Sequence, residues 1–600
     1  MEAQTTILTA EELQKFIGIK GFFGRFIAKS LLKLFRIDEA NRIQNKYRDY
    51  TGPEFSARVL EECGVSWEIP QEQLSNIPAE GGFITISNHS YGSIDGMILS
   101  CVVGSRRPEY KILTTFLLSL IPSLRDSFLA VDNFSSGGAR SIQGIRQALG
   151  HLASDGPLGL FPAGEVATWQ KKGERTALGR GRIIEDRPWA DNIIKLIRRS
   201  GMPVVPIYFD GGNSKLFHLL GCIHPRLRTV RLVQELFNKR GTCVKVRIGR
   251  PILPVETEGL DLDTYGKYLR SRCYALESEC RETPVHESLQ HAEPVAPETD
   301  RELVRAEIER ISDRMLFENA GYRCYLTRSD DVPSIMKELS RLRELTFRAV
   351  GEGTGNACDT DKYDSYYYQL ILWHMEDACI AGAYRIGVGS EIMAMPGGAS
   401  GFYTTSLFRY KPGTDAMLRE TVELGRSFVL EKYQGEFLPL RLLLTGIVYT
   451  LLKFPDVKYM IGPVSLSSSY PDLYKSLIVR FFMRAYGAPE KDRYAEPTHP
   501  LKENFLRVDP EPLLASVGDA DALDKLIVNM SGGAWRLPPL MRAYVAWGAR
   551  MVCFNVDPDF NDSVDGLIHS RLSEVPERMI KMLFRSAGEE ELERIIRRFS

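Results

Sequence analysis

Several common signatures are missing from this 600-residue sequence. Its ten cysteines include no Cys-x-x-Cys pair, which argues against the usual zinc and redox sites. No run reaches the ~20 apolar residues of a membrane-spanning helix, and no basic segment followed by an apolar core opens the chain. The formal net charge is -1, so overall charge does not favour nucleic acid as a partner. We therefore expect a reduced, cytoplasmic protein with no bound metal.

Length and composition predict two folded domains. A chain of 600 residues exceeds what one hydrophobic core usually serves, and a content of 44% hydrophobic and 26% charged residues is that of a globular protein. Residues 281–300 are polar, contain three prolines and show no apolar periodicity, which is typical of a linker. We predict a membrane-associating helical region over 1–75, an α/β domain over 76–280, a linker over 281–303 and a second α/β domain over 304–600.

Residues 16–37 (FIGIKGFFGRFIAKSLLKLFRI) predict a basic amphipathic helix. At 100° per residue, four basic side chains fall on one face, opposite a face of apolar side chains: Arg25, Lys29, Lys33 and Arg36 against Ile19, Phe23, Phe26, Ile27, Leu31 and Leu34. Such a helix suits an anionic membrane surface. The alternative is a helix packed on its own domain with a solvated basic face. We expect a peripheral protein on the cytoplasmic face of the inner membrane.

Strand-like runs alternate with helical stretches between residues 80 and 255, which predicts an α/β fold. The predicted strands are 83–87, 158–161, 204–209 and 244–249, with helices over 138–153 and 189–200 between them. The second half mixes a strand over 380–386 with helices over 300–317, 415–433 and 439–453.

A histidine at the end of the first predicted strand is followed six positions later by an aspartate, in Asn-His89-Ser-Tyr-Gly-Ser-Ile-Asp95. A nearby carboxylate fixes a histidine tautomer by accepting the N–H of one ring nitrogen. The other nitrogen then takes a proton from a hydroxyl that attacks an acyl thioester, without a serine or cysteine nucleophile. This spacing alone is a weak signal, and its structural alternative is a loop histidine that caps a turn.

Two later segments strengthen the catalytic interpretation. Phe161-Pro-Ala-Gly-Glu165 follows a predicted strand, and Val205-Pro206-Ile207 lies in the next. With the His-Asp segment they resemble the motifs of the glycerol-phosphate acyltransferase (PlsC) family over residues 75–255. The resemblance implies a PlsC-like α/β acyltransferase domain whose substrate contacts include Phe161, Pro162, Gly164 and Glu165. For the family's arginine motif the candidate is Arg140, with a surface arginine at a helix start as the alternative.

Departures from the family pattern narrow the acceptor. Five residues rather than four separate His89 from Asp95, and the third motif has Ala163, with its glutamate after the glycine as Glu165. Both departures resemble the hemolysin-like branch, which acylates lipids other than glycerol phosphates. A basic loop nearby suits lipid headgroups or acidic acyl carrier protein, or is an ordinary solvated loop: Lys171, Lys172, Arg175, Arg180 and Arg182.

The second half carries a different set of charged residues. Asp361 and Asp364 precede its predicted strand, and Val-Glu423-Leu-Gly-Arg426-Ser follows it. This order resembles the N-acyltransferases related to acyl-homoserine-lactone synthases, which have a GNAT-like fold and acylate the amine of an amino acid. An α-ammonium must lose a proton before it attacks a thioester, so Glu423 is the expected base. Asp361 and Asp364 are candidates to hold the amine, and Arg426 to pair with the substrate carboxylate. The alternatives are a helical Glu423–Arg426 salt bridge and a solvated aspartate turn.

Acyl carrier protein is the expected acyl donor of the second domain. GNAT enzymes that use coenzyme A bind its pyrophosphate with a glycine-rich loop that opens a helix. The nearest segment, Arg385-Ile-Gly387-Val-Gly389, has a different spacing and follows a predicted strand. No bound cofactor is expected, and acyl-coenzyme A is the alternative donor.

Together the halves resemble the bifunctional ornithine-lipid synthases of bacteria. The resemblance implies that the C-terminal domain joins a 3-hydroxyacyl chain to an amino acid, ornithine or glycine. The N-terminal domain then esterifies the 3-hydroxyl of the lyso-lipid. Two other interpretations stay open: a single lysophospholipid acyltransferase with a non-catalytic C-terminal half, and a non-enzymatic membrane-binding protein.

Overall fold

The computed structural model describes residues 9–17, 21–115, 121–131, 139–171, 182–223, 225–281, 292–435, 437–585 and 588–599. The chain divides into two compact units. The first unit comprises Met1–Glu282, Phe505–Val517 and Lys525–Trp535, and the second comprises Thr283–Asn504, Gly518–Asp524 and Arg536–Ser600. Both units mix helices and strands, which confirms the predicted α/β class.

Parallel pairing dominates the main sheet of the first unit. The strands of this unit are β1 (Ser66–Glu68), β2 (Ile84–Ser87), β3 (Lys111–Thr115), β4 (Phe128–Val131), β5 (Leu158–Leu160), β6 (Thr168–Lys171), β7 (Arg182–Glu185), β8 (Val204–Phe209) and β9 (Cys243–Ile248). Seven of them form a sheet in the order β1-β9-β8-β2-β5-β3-β4, in which only β8 and β9 are antiparallel neighbours. The carboxyl ends of β2, β5 and β8 therefore lie along one edge, where open α/β sheets bind their substrates.

Helices cover this sheet and precede it. Those in the first part of the chain are α1 (Ala10–Ile17), α2 (Gly21–Leu34), α3 (Ile37–Lys46), α4 (Gly52–Glu62), α5 (Ser93–Leu99), α6 (Ala139–Ala153), α7 (Asp191–Ser200), α8 (Lys215–Ile223), α9 (Pro225–Asn238) and α10 (Leu262–Ala275). The four predicted strands coincide with β2, β5, β8 and β9, and the two predicted helices with α6 and α7. These predictions are confirmed because each run has the apolar pattern of a buried strand or of an amphipathic helix.

Helix α2 has one buried face and one exposed apolar face. Ala28 and Phe35 are buried in a cluster that includes residues of α1 and α9. One face of α2 therefore packs on its own unit, as in the alternative to membrane binding. On the other face the exposed fractions are 67% for Phe26, 39% for Ile27 and 59% for Leu34. None of the described helices combines the length and the hydrophobicity needed to reach across a bilayer.

The second unit is built on a mostly antiparallel sheet. Its strands are β10 (Met315–Asn319), β11 (Tyr322–Arg328), β12 (Tyr368–His374), β13 (Cys379–Val388), β14 (Phe408–Tyr410), β15 (Thr421–Val429), β16 (Tyr459–Leu466), β17 (Ala495–Pro497), β18 (Arg550–Asp557) and β19 (Ser563–Arg571). Eight form a sheet in the order β10-β11-β12-β13-β15-β16-β19-β18, and β14 pairs with β17. Within the large sheet only β15 and β16 are parallel neighbours, and their pairing spans Thr421–Glu423.

The later helices complete the chain. They are α11 (Arg301–Arg310), α12 (Pro333–Ala349), α13 (Gly389–Ile392), α14 (Asp415–Arg419), α15 (Phe437–Lys453), α16 (Asp472–Tyr486), α17 (Pro510–Leu514), α18 (Ala520–Met530), α19 (Pro539–Ala546), α20 (Glu577–Leu583) and α21 (Glu589–Arg598). The predicted strand 380–386 and helix 439–453 are confirmed, whereas helix 300–317 ends at Arg310 and gives way to β10.

The predicted helix over 415–433 is wrong. It is a short helix, α14, followed by the strand β15. Thr421, Val422, Glu423 and Leu424 are all buried, so both faces of the strand are covered. Because the buried glutamate breaks the apolar pattern of the strand, the period-2 signal is lost in the sequence.

The division into units also differs from the predicted end-to-end domains. Residues 505–517 and 525–535, predicted to belong to the C-terminal domain, fold with the first unit. In the predicted linker, residues 282–291 lie outside the described residues, while the Thr299 N–H donates to the Glu338 carboxylate at 2.9 Å within the second unit. The last residues of the predicted linker range therefore pack within the second unit.

Candidate active sites

The loop after β2 holds a histidine against a buried carboxylate. His89 Nδ1 and Asp95 Oδ2 lie 3.0 Å apart, and the Asp95 side chain is fully buried. The same oxygen accepts the backbone N–H groups of Tyr91 at 2.9 Å and Gly92 at 3.0 Å. Because Asp95 lies in the first turn of α5, its carboxylate also satisfies backbone donors at the start of the helix. With Nδ1 bound to Asp95, Nε2 is the ring nitrogen that can take a proton.

Neighbouring strand ends fix this loop. The side-chain amide of Asn88 donates to the Phe209 carbonyl at 2.9 Å and accepts the Phe209 N–H at 2.8 Å, which joins the ends of β2 and β8. Gly92 has a φ of 91°, and a Cβ there would meet Leu232 Cδ2 at 2.8 Å. A glycine is therefore required both for the backbone conformation and for the close approach of α9.

A second buried carboxylate, Asp186, supports the histidine from the backbone side. Its Oδ1 accepts the His89 N–H at 3.1 Å. Burial raises the pKa of Asp186, against the opposing effect of the hydrogen bond from His89. The backbone N–H of Asp186 donates in turn to the Tyr274 hydroxyl at 3.1 Å. Sequence reasoning missed Asp186, because no recognisable spacing connects it to His89.

The Phe-Pro motif lies beside the same histidine. The Phe161 ring stacks on the His89 imidazole with centroids 4.1 Å apart and planes inclined by 27°. Pro162 is buried, and its carbonyl accepts the Ala190 N–H at 3.0 Å. Gly164 has a φ of 69°, which turns the chain directly after β5. The structure thus brings this motif together with His89 and Asp95.

Glu165 forms salt bridges with two arginines that the sequence motifs did not indicate. Arg187 Nε lies 2.7 Å from Glu165 Oε1, and Arg228 Nη2 lies 2.6 Å from Glu165 Oε2. Arg228 is largely buried, whereas the Arg187 side chain is 60% exposed. Two guanidinium groups against one carboxylate leave one positive charge. Glu165 and Arg187 lie on the loops that contain Phe161 and Asp186, both of which contact His89, and Arg228 reaches Glu165 from α9.

Two predicted basic features are not described at the level of side chains. The backbone of Arg140 lies in the first turn of α6, and its side chain lies outside the described residues. Residues 172–181 of the basic loop also lie outside them, as do the side chains of Lys171 and Arg182.

In the second unit, Glu423 is a buried carboxylate with three donors. Its Oε2 accepts the Tyr367 hydroxyl and the Tyr403 N–H at 2.9 Å, and its Oε1 accepts the Thr404 N–H at 2.8 Å. Burial, with the nearby Glu423 charge, raises the pKa of Tyr367, so this hydroxyl stays protonated and donates. A carboxylate has about four acceptor positions, so one position on Glu423 is left for a further proton donor.

The two candidate aspartates are paired with buried arginines. Arg385 Nη1 donates to Asp361 Oδ1 at 2.5 Å and to Asp364 Oδ1 at 3.2 Å. Arg343 Nη1 also donates to Asp364 Oδ1, at 2.8 Å. Burial opposes ionisation of Asp364, but Arg343 and Arg385 outweigh it and lower its pKa to about 2. Both aspartates are therefore paired with arginines of this unit.

Arg426 lies at a β-bulge. Ala383 pairs with Phe428 and Arg385 with Gly425, so two residues of β15 face one residue of β13. Arg426 has a φ of 47°. For a non-glycine residue, this backbone conformation costs roughly 1–3 kcal/mol. Its Nε lies 2.8 Å from Asp359 Oδ2, and its Nη2 donates to Asp361 Oδ2 at 3.3 Å. The alternative interpretation, a salt bridge between Glu423 and Arg426 on a helix, does not apply, because both residues lie on a strand.

A further carboxylate, Asp565 on β19, is buried in the same unit. The Ser465 hydroxyl donates to its Oδ1 at 2.5 Å. Burial raises the pKa of Asp565 to about 7. Among the described residues, no group of three or more His, Cys, Asp or Glu side chains is arranged to hold a metal ion.

Comparison with known proteins follows the same division. Residues 14–280 match the family described as Acyltransferase, and residues 342–444 match the Acetyltransferase (GNAT) domain. A glycine N(alpha)-acyltransferase of Phocaeicola vulgatus is 32% identical over 277 residues, which are 44% of this chain and 82% of that protein. A lyso-glycine lipid O-acyltransferase of Bacteroides thetaiotaomicron is 26% identical over 238 residues, 38% of this chain and 82% of that protein.

Among solved structures, the 1-acyl-sn-glycerophosphate acyltransferase PlsC from Thermotoga maritima aligns with 38% of this chain and 84% of its own length. The TM-score of this alignment is 0.23, and the sequence identity is 16%.

The family matches define the class: the chain is an acyltransferase with a PlsC-like domain at its N-terminus and a GNAT domain at its C-terminus. The non-enzymatic interpretation is thereby set aside. The chain belongs to the amino-acid-lipid acyltransferases. It is similar to two separate relatives, one named glycine N(alpha)-acyltransferase and one named lyso-glycine lipid O-acyltransferase, and its two domains together fit a bifunctional amino-acid-lipid synthase.

Proposed function

We propose that this enzyme makes an amino-acid lipid by two successive acyl transfers. The GNAT domain joins a 3-hydroxyacyl chain from acyl carrier protein to the amine of glycine. The PlsC-like domain then transfers a second acyl chain to the 3-hydroxyl of that lyso-lipid. Two relatives are named for glycine and for a lyso-glycine lipid as substrates, which favours glycine over ornithine.

The observation that carries the ester-forming step is the His89–Asp95 pair. Asp95 holds the Nδ1–H, so Nε2 takes the proton of the 3-hydroxyl as its oxygen attacks the thioester carbonyl carbon. The C–S bond then breaks, and the protonated His89 returns the proton to the departing thiolate. Asp95 stabilises the imidazolium between these two steps.

The net positive charge of the two arginines that pair with Glu165 supplies a binding site for the lyso-lipid headgroup. An N-acylated glycine carries a single charge at neutral pH, the α-carboxylate. Arg187 and Arg228 together exceed the charge of Glu165 by one. Arginine binds carboxylates through paired N–H donors. Glu165 therefore acts on the substrate indirectly: it orients the two arginines that bind the carboxylate of the lyso-lipid.

Glu423 is the proposed proton acceptor for the amide-forming step. It is buried beside the bulge of β15, and the Tyr367 hydroxyl donates to it. The α-ammonium of glycine gives up a proton to this carboxylate, and the free amine attacks the thioester carbon. The C–S bond then breaks, and the departing thiolate takes up the second proton that the amine nitrogen loses. Asp361, Asp364 and Arg426 hold the bulge through their ion pairs, which fixes the strand that carries Glu423.

The exposed apolar face of α2 supports action at a membrane surface. Phe26 and Leu34 are exposed beside the cationic Arg25, Lys29 and Lys33. Apolar and basic groups on one exposed surface bind anionic bilayers through burial and charge together. A lyso-lipid intermediate held in that bilayer is thereby presented to the first unit.

Expression in a host that lacks amino-acid lipids, followed by lipid mass spectrometry, tests the proposal. We expect a phosphorus-free lipid that contains one amide, one ester and glycine. The His89→Ala variant should accumulate the mono-acylated lyso-lipid, and the Glu423→Gln variant should make neither product. Accumulation of phosphatidic acid alone would contradict the proposal, and an ornithine headgroup would contradict the assignment of glycine.

A further inference from the structure

Part of the first unit comes from far along the chain. Phe505–Val517 belongs to this unit although more than two hundred residues separate it from Glu282. Leu513 and Leu514 of α17 are completely buried. The Ser271 hydroxyl on α10 donates to the Asp509 carbonyl at 3.0 Å. No catalytic motif in the sequence accounts for this segment.

Arg507 in this segment contacts several groups of the first unit at once. Its Nε donates to Glu277 Oε2 at 2.8 Å and its Nη1 to the Ile184 carbonyl at 3.3 Å. Its Nη2 donates to the Tyr208 hydroxyl. The guanidinium carbon lies 5.3 Å from the centroid of the Tyr274 ring. A guanidinium group has five donors in a rigid plane, so it can fix several partners relative to one another.

These partners lead directly to the catalytic histidine. Ile184 lies two residues before Asp186, whose N–H donates to the Tyr274 hydroxyl at 3.1 Å. Asp186 Oδ1 then accepts the backbone N–H of His89 at 3.1 Å. Arg507 thus contacts Tyr274 and the strand that ends beside Asp186. Both hold the backbone of Asp186, and the carboxylate of that residue binds the His89 loop.

We propose that Arg507 is a positioning residue of the His89 site, supplied to the PlsC-like domain by the C-terminal half of the sequence. It holds the Tyr274 ring and the backbone before Asp186, and so sets the position of the His89 loop. The inference deepens the proposed ester-forming function and rests on it. Small displacements of a catalytic group lower turnover strongly, by as much as about 10²-fold for 1 Å.

The surroundings of Arg507 allow it to be replaced without leaving a buried charge unpaired. Its main anionic partner, Glu277, also accepts a hydrogen bond from Arg281 at 2.7 Å. Loss of Arg507 therefore leaves Glu277 with a cationic partner. A buried carboxylate without a cationic partner is strongly destabilising, and Arg281 prevents most of that effect.

The test uses full-length Arg507→Ala, Arg507→Lys, Tyr274→Phe and the Arg507→Ala/Tyr274→Phe double variant. Ester formation from lyso-lipid and amide formation from glycine are measured on the same preparation. For Arg507→Ala we expect kcat for the ester to fall roughly 10- to 100-fold, with KM for lyso-lipid changed less than about 3-fold. Amide formation should stay near wild type, and Arg507→Lys should recover part of the lost kcat.

The double variant separates positioning from a general effect on stability. If Arg507 acts through Tyr274, the double variant should be no slower than the slower single variant. Arg250→Ala is the matched control, since Arg250 donates to the Gly532 carbonyl at 2.7 Å and so binds another late segment without contacting Asp186. It should leave kcat for the ester unchanged.

Three outcomes would overturn the inference: an unchanged ester kcat in Arg507→Ala, losses that multiply in the double variant, or a parallel fall of amide and ester formation. A wild-type enzyme that forms no ester from lyso-lipid would instead reject the proposed function itself.

Discussion

Asp95 reaches the His89 imidazole across five intervening residues, with Nδ1 and Oδ2 3.0 Å apart. The turn before α5 folds the carboxylate back, where it also accepts the N–H groups of Tyr91 and Gly92. The extra residue relative to the usual four is therefore accommodated within the loop. The pair keeps the geometry that a histidine base requires.

Asp95→Asn should abolish most ester formation while amide formation continues. An asparagine offers either an oxygen or an NH2 group to Nδ1, and it removes the charge that stabilises the imidazolium. We expect kcat for ester formation to fall about 10³-fold or more, as in other carboxylate–histidine pairs. The rate is measured with purified lyso-lipid and an acyl thioester. Asp126→Asn, at an exposed position in the same unit, is the control. A loss below about tenfold would be incompatible with the proposed role.

Glu423→Gln should stop amide formation and leave ester formation from added lyso-lipid intact. Loss of a general base lowers the rate by about 10²–10⁴-fold. Tyr367→Phe should also slow the amide step, because it removes a hydroxyl bonded to Glu423. Tyr449→Phe is the control, since that hydroxyl donates to Glu591 at 2.7 Å and lies on α15 of the same unit. Normal lyso-lipid synthesis by Glu423→Gln would show that the base lies elsewhere.

Arg228→Met should weaken binding of the lyso-lipid specifically. We expect KM for the lyso-lipid to rise about tenfold, a loss of one charge-assisted hydrogen bond, with KM for the acyl donor unchanged. The decisive comparison uses the methyl ester of the lyso-lipid, which lacks the carboxylate. Wild type should discriminate against this ester, and Arg228→Met should discriminate much less. Equal discrimination by both proteins would place the headgroup site elsewhere.

Phe26→Ser/Leu34→Ser should reduce binding to anionic vesicles. These side chains are 67% and 59% exposed, so their removal costs little packing within the unit. Loss of two large apolar groups from a membrane contact should lower the partition coefficient about tenfold or more. Co-sedimentation with vesicles of phosphatidylglycerol and phosphatidylethanolamine measures it. Leu303→Ser removes an equally exposed leucine from α11 and should have no effect; a similar drop in that control would refute the assigned surface.

The stability of the second unit should fall as pH rises from about 4 to about 7, in part through Asp565. Burial raises its pKa in the folded state to about 7, well above the ordinary value of about 4 for an aspartate. Between those values the folded protein binds the proton more tightly than the unfolded chain. One such proton contributes at most about 1.4 kcal/mol per pH unit. Asp565→Asn should flatten the dependence, measured by urea unfolding at several pH values. An identical slope in both proteins would exclude Asp565 as its source.

Motifs at the ends of predicted parallel strands made the first site predictable. His89, Asp95 and Phe161 follow consecutive predicted strands, and the carboxyl ends of parallel strands meet at one edge. Asp186, Arg228 and Arg507 were not predictable in the same way. Each reaches the site from a distant part of the chain through one hydrogen bond or ion pair, and such contacts leave no periodicity in a single sequence.

The second site shows a different limit. Glu423 and Arg426 were identified as candidates, but the helix assigned to them was wrong because a buried glutamate hides the alternation of a strand. The left-handed backbone of Arg426 has no local signal either, since glycine would be the usual residue there. The ion pairs with Asp359 and Asp361 help to hold this residue in place.

The interleaving of the two units bears on the order of events during synthesis. The first unit includes Lys525–Trp535, which emerge from the ribosome about 250 residues after Glu282. At roughly 5–20 residues per second, the nascent first unit waits on the order of 10–50 s for its last pieces. During that interval most of the second unit is translated. The first unit is therefore completed only after residues 283–504, the largest part of the second unit, have been translated.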